Sequence, residues 1–363
     1  ETRWAESRRM RTDEFDYQLH KELIAQEPFT PRDACRLLVV HRDTGDLEHR
    51  IFRNLPEYLR PGDALVINET KVIPARLFGK RADTGGVVEV LLLHRSVDAT
   101  VGYDRESEVW ETLVRPGRQF VAGRRFLFGP PIPEGGLEAE VVSRTASGGA
   151  LLRFQPARDF GERLAHLGRV PLPPYIHEEL QNPEEYQTVY ARDAGSAAAP
   201  TAGLHFTREL LARIEEMGVR IVPVLLHVGL DTFRPVKEEN VEDHEMHSEF
   251  YAVRPEAAAL LNAVRRDGGR WVAVGTTVTR VLESVTDEDG VIHPGSGWTD
   301  LFIIPGYRFR AVDMLITNFH LPQSTLLMLV TALGGRELIR RAYEEAVEQR
   351  YRFFSFGDAM LII

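Results

Sequence analysis

The chain has 363 residues, of which 43% are hydrophobic and 27% are charged, a composition typical of a globular protein that folds in water. Its length favours two domains over one, and no apolar run approaches the roughly 18 residues that a membrane-spanning helix requires. The formal net charge of −10 argues against a surface adapted as a whole to nucleic acid, and we expect no DNA partner.

The N-terminal residues are basic and polar, without the apolar segment of a secretory signal. Cys35 is the only cysteine, which excludes a disulfide within the chain and a zinc site built on thiolates. We therefore expect a cytoplasmic protein, with residues 1–9 as a flexible extension. No motif places a histidine beside Cys35, so a buried, unreactive thiol is favoured over a nucleophile.

The first part of the chain is typical of β-structure. Residues 36–52 form an apolar run, an Asp-Thr-Gly turn and an alternating run, which predicts a β-hairpin. Between residues 64 and 156, six short apolar runs are separated by Gly, Pro and Asp clusters, and we predict an inserted all-β, barrel-like domain at 61–158. Basic and acidic residues are nearly equal in number there, so a locally basic face could meet phosphate; scattered surface arginines are an equal alternative.

After residue 159 helices alternate with strands. Thr207 is placed to cap a helix that leads into a buried strand at 221–228. Two strand–turn–helix units follow, the first from Trp271 and the second with its helix begun by Pro322, and then a final helix and strand. These patterns predict an α/β main domain, formed by residues 10–60 and 159–363, with a mostly parallel or mixed sheet.

Several predicted strands end in polar loops, at 227–232, 274–277, 317–320 and 356–359. Ligands of open α/β sheets bind at the carboxyl ends of strands, so these loops predict a single site. The loops contain neither a Rossmann fingerprint nor a P-loop, which argues against an ordinary dinucleotide or ATP enzyme.

Five of the twelve histidines fall in or near such loops: His205, His227, His244, His247 and His320. One histidine alone is more often structural, but five in this setting favour at least one acid or base. His244, His247 and Glu249 leave open a metal-dependent hydrolase, although an HExxH motif is absent. A non-catalytic RNA-binding module is the alternative outside enzymes.

Residues after Val274 allow two interpretations. Thr276, Thr277 and Arg280 could hold a ribose or a carboxylate, and helix capping explains the threonines equally well. Glu283 follows Arg280 at the spacing of a helix-surface ion pair, and if buried it could instead bind ribose hydroxyls.

Several long strings together resemble the S-adenosylmethionine:tRNA ribosyltransferase-isomerase family of queuosine biosynthesis. They are FDYQLHKELIAQEP, GDALVINETKVIPARL, AAPTAGLHF, HVGLDTFRPV, HEMHSE, GTTVTRVLES, LFIIPGY, ITNFHLPQSTLLMLV and YRFFSFGDAMLI. The resemblance runs in the family's order from about Phe15 to Ile363. Where the family usually has GLGTF, this chain has GLDTF, with Asp231 in place of glycine.

The resemblance implies a definite reaction. The ribosyl part of S-adenosylmethionine, a co-substrate, is transferred and isomerised onto 7-aminomethyl-7-deazaguanine at the wobble position of tRNA. Epoxyqueuosine forms, adenine and methionine leave, and neither a metal nor another cofactor is needed. The chemistry requires a base, a donor to the departing adenine and a water-poor pocket.

Residue roles follow from the resemblance together with this chemistry. Proton transfer is assigned to His205, His227 and His320, with Asp231 or Glu283 facing the sulfonium or ribose and Phe206 or Phe319 stacking the adenine. The predicted substrate-binding set is Thr201, Gly203, Phe206, Thr276, Thr277, Arg280, Glu283, Asn318 and Phe319. The predicted tRNA contacts are Lys71, Arg76, Lys80, Arg81, Arg192 and Arg234.

Overall fold

The computed structural model describes residues 9–96, 107–145, 148–178, 180, 182–229, 232 and 235–363. The chain forms two compact units. The main unit comprises Glu1–Thr70, Pro174–Asp193 and Pro200–Ile363, and the barrel unit comprises Lys71–Pro173 and Ala194–Ala199. Apart from Arg9, the predicted flexible extension lies outside the described residues.

Both units contain strands and α-helices. The strands are β1 (Arg36–Val40), β2 (Leu47–Ile51), β3 (Ala64–Asn68), β4 (Thr70–Val72), β5 (Arg76–Arg81), β6 (Val87–Arg95), β7 (Glu108–Arg115), β8 (Arg125–Phe128), β9 (Leu137–Arg144), β10 (Ala150–Gln155), β11 (Asp193–Ser196), β12 (Arg220–Leu226), β13 (Glu249–Val253), β14 (Trp271–Val274), β15 (Gly295–Thr299), β16 (Met314–Asn318) and β17 (Ala359–Ile362). The helices are α1 (Phe160–Leu167), α2 (Arg208–Glu216), α3 (Pro255–Arg266), α4 (Thr276–Val285), α5 (Thr325–Gly334) and α6 (Arg336–Glu348).

A nine-stranded mixed sheet organises the main unit, in the order β15-β13-β12-β3-β14-β16-β17-β1-β2. Four adjacent strands, β12, β3, β14 and β16, run parallel. Antiparallel pairs flank them, and the predicted hairpin is confirmed as β1 and β2. The predicted α/β class with a mixed sheet is therefore confirmed.

The barrel unit contains a closed six-stranded barrel, β10-β7-β6-β5-β8-β9, in which every pair is antiparallel. The predicted barrel-like all-β element is confirmed. The run at Ala64–Asn68, which we grouped with it, forms β3 of the main sheet instead. All five of its residues are buried, as expected of a strand covered on both faces.

The helices of the main unit bury apolar stripes against the sheet. Thr207 caps α2 as predicted, since its Oγ1 accepts a hydrogen bond from the Leu210 amide at 3.1 Å. Phe206, Leu210 and Ile214 are fully buried in one core with residues of β1, β3, β14, β16 and β17.

The helix expected to begin at Pro322 begins later. Gln323 has a φ of 56°, outside the right-handed helical region, and Ser324 caps α5 by accepting from the Leu327 amide at 3.2 Å. None of the helices in the described part of the chain is long and apolar enough to cross a membrane.

Candidate functional site

The four parallel strands of the main sheet end at one edge. The last residues of β3, β12, β14 and β16 are Asn68, Leu226, Val274 and Asn318. Parallel strands share the direction of their carboxyl ends, so the segments that follow them lie side by side. The structure thus brings three of the predicted polar loops, at 227, 275–277 and 319–320, to the same edge of the sheet.

A cavity lies beside the end of β16. Its lining residues are Tyr175, Thr201, Thr232, Asn318, Phe319, His320, Leu321, Ser324, Leu326, Phe354 and Ser355. The polar groups among them are hydroxyls, an amide and an imidazole, and burial lowers the pKa of His320 to about 3, so this ring is neutral at neutral pH. The described lining therefore offers hydrogen bonds and apolar contact without a formal charge.

A chain of hydrogen bonds leads from the cavity into the core. The Thr201 hydroxyl donates to Asn318 Oδ1 at 3.2 Å. Asn318 Nδ2 donates to the Phe354 carbonyl at 3.0 Å and lies 3.1 Å from His205 Nε2. His205 Nδ1 is in turn 3.3 Å from Cys35 Sγ. Three of these residues were predicted site residues; Cys35 was not.

His205 lies behind the cavity wall, where it is 4% exposed and packs against Phe52. Both ring nitrogens have partners in the core. Burial, with a smaller effect of the Arg32 guanidinium, lowers its pKa to about 3. These surroundings give no support to the predicted role of His205 in proton transfer.

Cys35 has a histidine beside it in the structure, although no motif in the sequence places one there. The two residues are 170 positions apart in sequence, so no local motif could have shown the pair. Burial raises the pKa of the Cys35 thiol, because the thiolate would be desolvated. The interpretation as a buried, unreactive thiol agrees with this raised pKa.

His320 lines the cavity, and its backbone is held from both sides. The His320 amide donates to Tyr343 Oη at 2.9 Å, and Tyr17 Oη donates to the His320 carbonyl at 2.5 Å. Its Nε2 is 2.7 Å from Thr317 Oγ1. This ring is the one predicted histidine that is placed at the cavity itself.

Tyr175 and Ser355 are among the hydroxyl-bearing residues of the lining that were missed from the sequence. Tyr175 Oη is 2.8 Å from Ser355 Oγ, and the Tyr175 ring contacts the Phe354 ring at a centroid distance of 4.7 Å. Tyr175 follows the proline-rich run at 170–174, and Ser355 lies beside the polar loop before β17. The polar loop beside Ser355 was a signal that could have indicated this residue, whereas the proline-rich run gave no signal for Tyr175.

His227 stands at the end of β12, with Nδ1 2.9 Å from Thr70 Oγ1. Burial lowers its pKa. Asn68, which was also missed, fixes this strand end: it donates to the Leu226 carbonyl at 2.9 Å and accepts from the Leu226 amide at 3.1 Å. Asn68 is a polar residue at the end of a fully buried strand, and this pattern in the sequence could have indicated its place at the edge of the sheet.

Arg280 and Glu249 form a buried ion pair between Arg280 Nη1 and Glu249 Oε2, with both side chains about 5% exposed. Arg280 also donates to the carbonyls of Thr299 and Leu301. Glu249 Oε1 accepts from the Gly229 amide at 2.8 Å and from Thr232 Oγ1 at 3.1 Å. Arg280 therefore holds a carboxylate of the protein, and its predicted contact with a ribose or carboxylate of a ligand stays a prediction.

Glu283 is buried and supports the backbone of the segment at 307–312. Its two oxygens accept hydrogen bonds from the Arg310, Ala311 and Val312 amides and from Tyr307 Oη, at 2.9 to 3.2 Å. The predicted contacts of this carboxylate with ribose or sulfonium find no support in this arrangement. Burial of the glutamate, which we gave as the condition for that role, is present.

Neither predicted stacking ring has an exposed face. Phe206 packs edge-on against Phe52 in the core, and Phe319, although its residue lines the cavity, is enclosed by other aromatic rings. Gly203 is needed for close packing, because a Cβ there would come within 2.1 Å of Tyr190 Oη. Thr276 and Thr277 begin α4, and Thr277 Oγ1 is 3.5 Å from Asn68 Nδ2.

The residues predicted to contact tRNA differ in their exposure and in their ion pairs. Arg76 pairs with Glu89 and Arg81 with Asp83, whereas Lys71, Lys80 and Arg192 are exposed, the last 3.9 Å from Glu69. Asp231 and Arg234 lie outside the described residues.

The residues of the alternative metal site do not converge. His244 Nδ1 is 2.9 Å from Glu238 Oε2, whereas Glu249 is engaged by Arg280. Within the described ranges, no group of three His, Cys, Asp or Glu residues is arranged to hold a metal ion. The geometry gives no support to the metal-dependent hydrolase.

The chain is similar to a family of known proteins over nearly its whole length. A family model described as "Queuosine biosynthesis protein" matches residues 12–362. The S-adenosylmethionine:tRNA ribosyltransferase-isomerase of Symbiobacterium thermophilum is 63% identical over 354 residues, which are 98% of this chain and 100% of the relative. The protein of the same name from Moorella thermoacetica is 59% identical over 355 residues, again 98% and 100% of the two chains.

A solved structure shows the same relationship. The crystal structure of the S-adenosylmethionine tRNA ribosyltransferase from Thermotoga maritima has a TM-score of 0.55 and 41% sequence identity with this chain. The match covers 96% of this chain and 100% of that one. The resemblance inferred from the motifs is thereby confirmed.

Proposed function

The chain belongs to the S-adenosylmethionine:tRNA ribosyltransferase-isomerase family of queuosine biosynthesis, a family of enzymes, and we propose its substrate, products and residue roles from that premise. The enzyme transfers and isomerises the ribosyl part of S-adenosylmethionine onto 7-aminomethyl-7-deazaguanine at the wobble position of tRNA. Epoxyqueuosine forms, and adenine and methionine are released. The supporting observation is the cavity at the carboxyl edge of the parallel strands, whose described lining residues offer hydrogen bonds and carry no formal charge.

Among the residues that the structure describes, the lining suits the adenosyl part of S-adenosylmethionine better than its charged methionyl part. Adenine and ribose are neutral and polar, and the lining supplies Thr201, Asn318 and Ser355 as hydrogen-bonding partners. Leu321 and Leu326 add apolar surface, which limits the access of water to reactive intermediates. S-adenosylmethionine is then a co-substrate, and the proposed chemistry uses no further cofactor.

We assign proton transfer to His320 before the other two histidines. His320 lines the cavity and is neutral at neutral pH, as a proton acceptor must be. His227 is the second candidate, because it follows β12 at the same edge of the sheet. His205 is the least favoured, since both of its ring nitrogens face partners in the core.

Adenine stacking is reassigned from Phe206 and Phe319 to Tyr175. Of the described aromatic residues that line the cavity, Tyr175 is the one that is partly exposed, and its hydroxyl pairs with Ser355. A hydroxyl at this place can also donate to the departing base. Burial raises the pKa of Tyr175, so the hydroxyl keeps its proton at neutral pH.

For tRNA we retain the predicted cations. Lys71, Lys80 and Arg192 are exposed and able to meet phosphate, although Arg192 lies 3.9 Å from Glu69. Arg76 and Arg81 are less exposed and pair with Glu89 and Asp83. An unpaired anticodon-loop base is the cheapest to draw out of its stack. Binding through phosphates predicts an affinity that falls as salt rises; a salt-independent affinity would contradict these contacts.

The reaction is tested by incubating the protein with S-adenosylmethionine and tRNA that carries 7-aminomethyl-7-deazaguanine. Mass spectrometry of digested nucleosides should show epoxyqueuosine, with equal amounts of free adenine and methionine. Retention of tRNA without consumption of S-adenosylmethionine would support the RNA-binding module instead. Metal removal by a chelator should leave the rate unchanged.

Single replacements by alanine separate the histidines. His320→Ala should lower the single-turnover rate by roughly 10²- to 10⁴-fold, the contribution of a positioned acid or base. His244→Ala is the matched control, because that histidine lies outside the cavity and pairs with Glu238. Normal rates for all of His205→Ala, His227→Ala and His320→Ala would refute the assignment of proton transfer to these residues.

A further inference from the structure

The buried hydrogen bonds behind the cavity determine how Asn318 presents its side chain. The Phe354 carbonyl can only accept, so the Asn318 group 3.0 Å from it must be the amide nitrogen. The same nitrogen lies 3.1 Å from His205 Nε2. The opposite end of the amide, Oδ1, is then directed to the Thr201 hydroxyl.

This orientation fixes the tautomer of His205. Since Asn318 Nδ2 carries only hydrogens, His205 Nε2 must be the unprotonated, accepting nitrogen. The ring proton is therefore on Nδ1, where Cys35 Sγ, 3.3 Å away, is its acceptor. With the proton on Nε2 instead, two N–H groups would face each other between side chains that are 3–4% exposed, which costs the desolvation of both donors.

We propose that Cys35 and His205 are positioning residues, which hold the Asn318 amide so that its oxygen and the Thr201 hydroxyl present acceptors to the cavity. Thr201 uses its proton on Asn318 Oδ1, so its lone pairs remain for a ligand. A pair of acceptors selects a ligand group with two donors, such as a vicinal diol or an amino group. This inference rests on the proposed function, in which S-adenosylmethionine supplies such groups.

A matched pair of variants distinguishes a positioning role of His205 from a role as an acid or base. His205→Gln can keep an acceptor near the position of Nε2 but cannot transfer a proton as an imidazole does. His205→Leu fills a similar volume without any acceptor. Positioning predicts that the Gln variant binds S-adenosylmethionine nearly as the wild type does, whereas the Leu variant binds roughly ten- to hundredfold more weakly.

Two measurements are needed, the dissociation constant for S-adenosylmethionine by calorimetry and the single-turnover rate with modified tRNA. Unchanged binding by His205→Leu would overturn the proposal. A His205→Gln variant that binds normally and reacts roughly 10²-fold more slowly would overturn it also, since that is the behaviour of an acid or base. Val39→Ala, in the same core and away from the chain of hydrogen bonds, controls for lost packing and should leave the dissociation constant unchanged.

The imidazole ¹⁵N spectrum tests the tautomer without activity or ligand. The wild type should show a neutral His205 ring protonated at Nδ1. In Cys35→Ala this N–H loses its acceptor, so the Nδ1 resonance should move while Nε2 stays the accepting nitrogen, and Cys35→Ser should partly restore the wild-type shift. A ring protonated at Nε2 in the wild type would overturn the proposal even if the leucine variant does not fold. If the wild type failed to bind S-adenosylmethionine, the proposed function would fall, and this spectrum would still decide the role of Cys35.

Discussion

Replacing Glu249 by glutamine should destabilise the main unit strongly. Glu249 Oε2 pairs with Arg280 Nη1, and Oε1 accepts from the Gly229 amide and the Thr232 hydroxyl. An amide has one accepting oxygen, so Glu249→Gln places its NH₂ group against a donor on one side or the other. The variant also leaves the Arg280 guanidinium buried without its counter-charge.

The expected loss follows from these contacts. Removing one partner of a buried ion pair costs about 3–5 kcal/mol, because the remaining charge stays desolvated. This is a large part of the roughly 5–15 kcal/mol by which a folded domain is stable, so the variant should fold but unfold at much lower denaturant. Thr232 lines the cavity, so binding of S-adenosylmethionine should weaken as well.

Urea unfolding followed by far-ultraviolet circular dichroism is the appropriate assay. Five of the six described helices lie in the main unit, so the helical signal reports mainly on that unit. Glu238→Gln is the matched control: Glu238 is a partly exposed carboxylate that pairs with His244, and its loss should cost less than about 1 kcal/mol. Equal stability of Glu249→Gln and Glu238→Gln would refute the reasoning.

Three further outcomes are expected. In urea unfolding, Gly203→Ala should lose about 1–3 kcal/mol of stability, because the added Cβ would meet Tyr190 Oη. Adding Tyr190→Phe, which removes that oxygen, should restore part of the loss. Gly161→Ala is the control and should be nearly neutral, because the space around Gly161 is open. Glu283→Gln should lower the unfolding midpoint and leave the KM for S-adenosylmethionine unchanged; a raised KM would return this residue to the substrate site. The folded-state pKa of His320, about 3, lies below its unfolded value, so on acidification the unfolded state binds the proton first. The free energy of unfolding should therefore decrease as the pH is lowered from about 6.5 towards 3. In urea titrations, His320→Gln should reduce this dependence by about 1.4 kcal/mol per pH unit.

The fold was largely predictable because it depends on local patterns. Thr207 ahead of an apolar stripe, the all-buried run at Trp271–Val274 and the turn-separated runs of the barrel each determine an element without distant information. The run at Ala64–Asn68 was assigned to the wrong sheet for the same reason. Its sequence specifies a buried strand, but the partners of that strand, β12 and β14, lie more than 150 residues away.

The edge of the site was predictable and its contacts were not. Polar residues after successive strands indicate the carboxyl edge, which is where His227, Thr276 and His320 are found. Whether such a side chain faces a cavity or the core depends on residues far away in sequence. His205 and Asn318 are 113 positions apart and were both candidates, yet only Asn318 lines the cavity.

The first turns of α4 show that position after a strand does not determine which protein groups a side chain contacts. Arg280 and Glu283 follow a strand end and were predicted to touch substrate, but the helix directs them to different parts of the protein. Arg280 reaches Glu249 at the start of β13 and the carbonyls near the end of β15, and Glu283 reaches the amides at 310–312. Arg280 is still connected to the cavity lining, because its partner Glu249 also accepts a hydrogen bond from Thr232 Oγ1, and Thr232 lines the cavity.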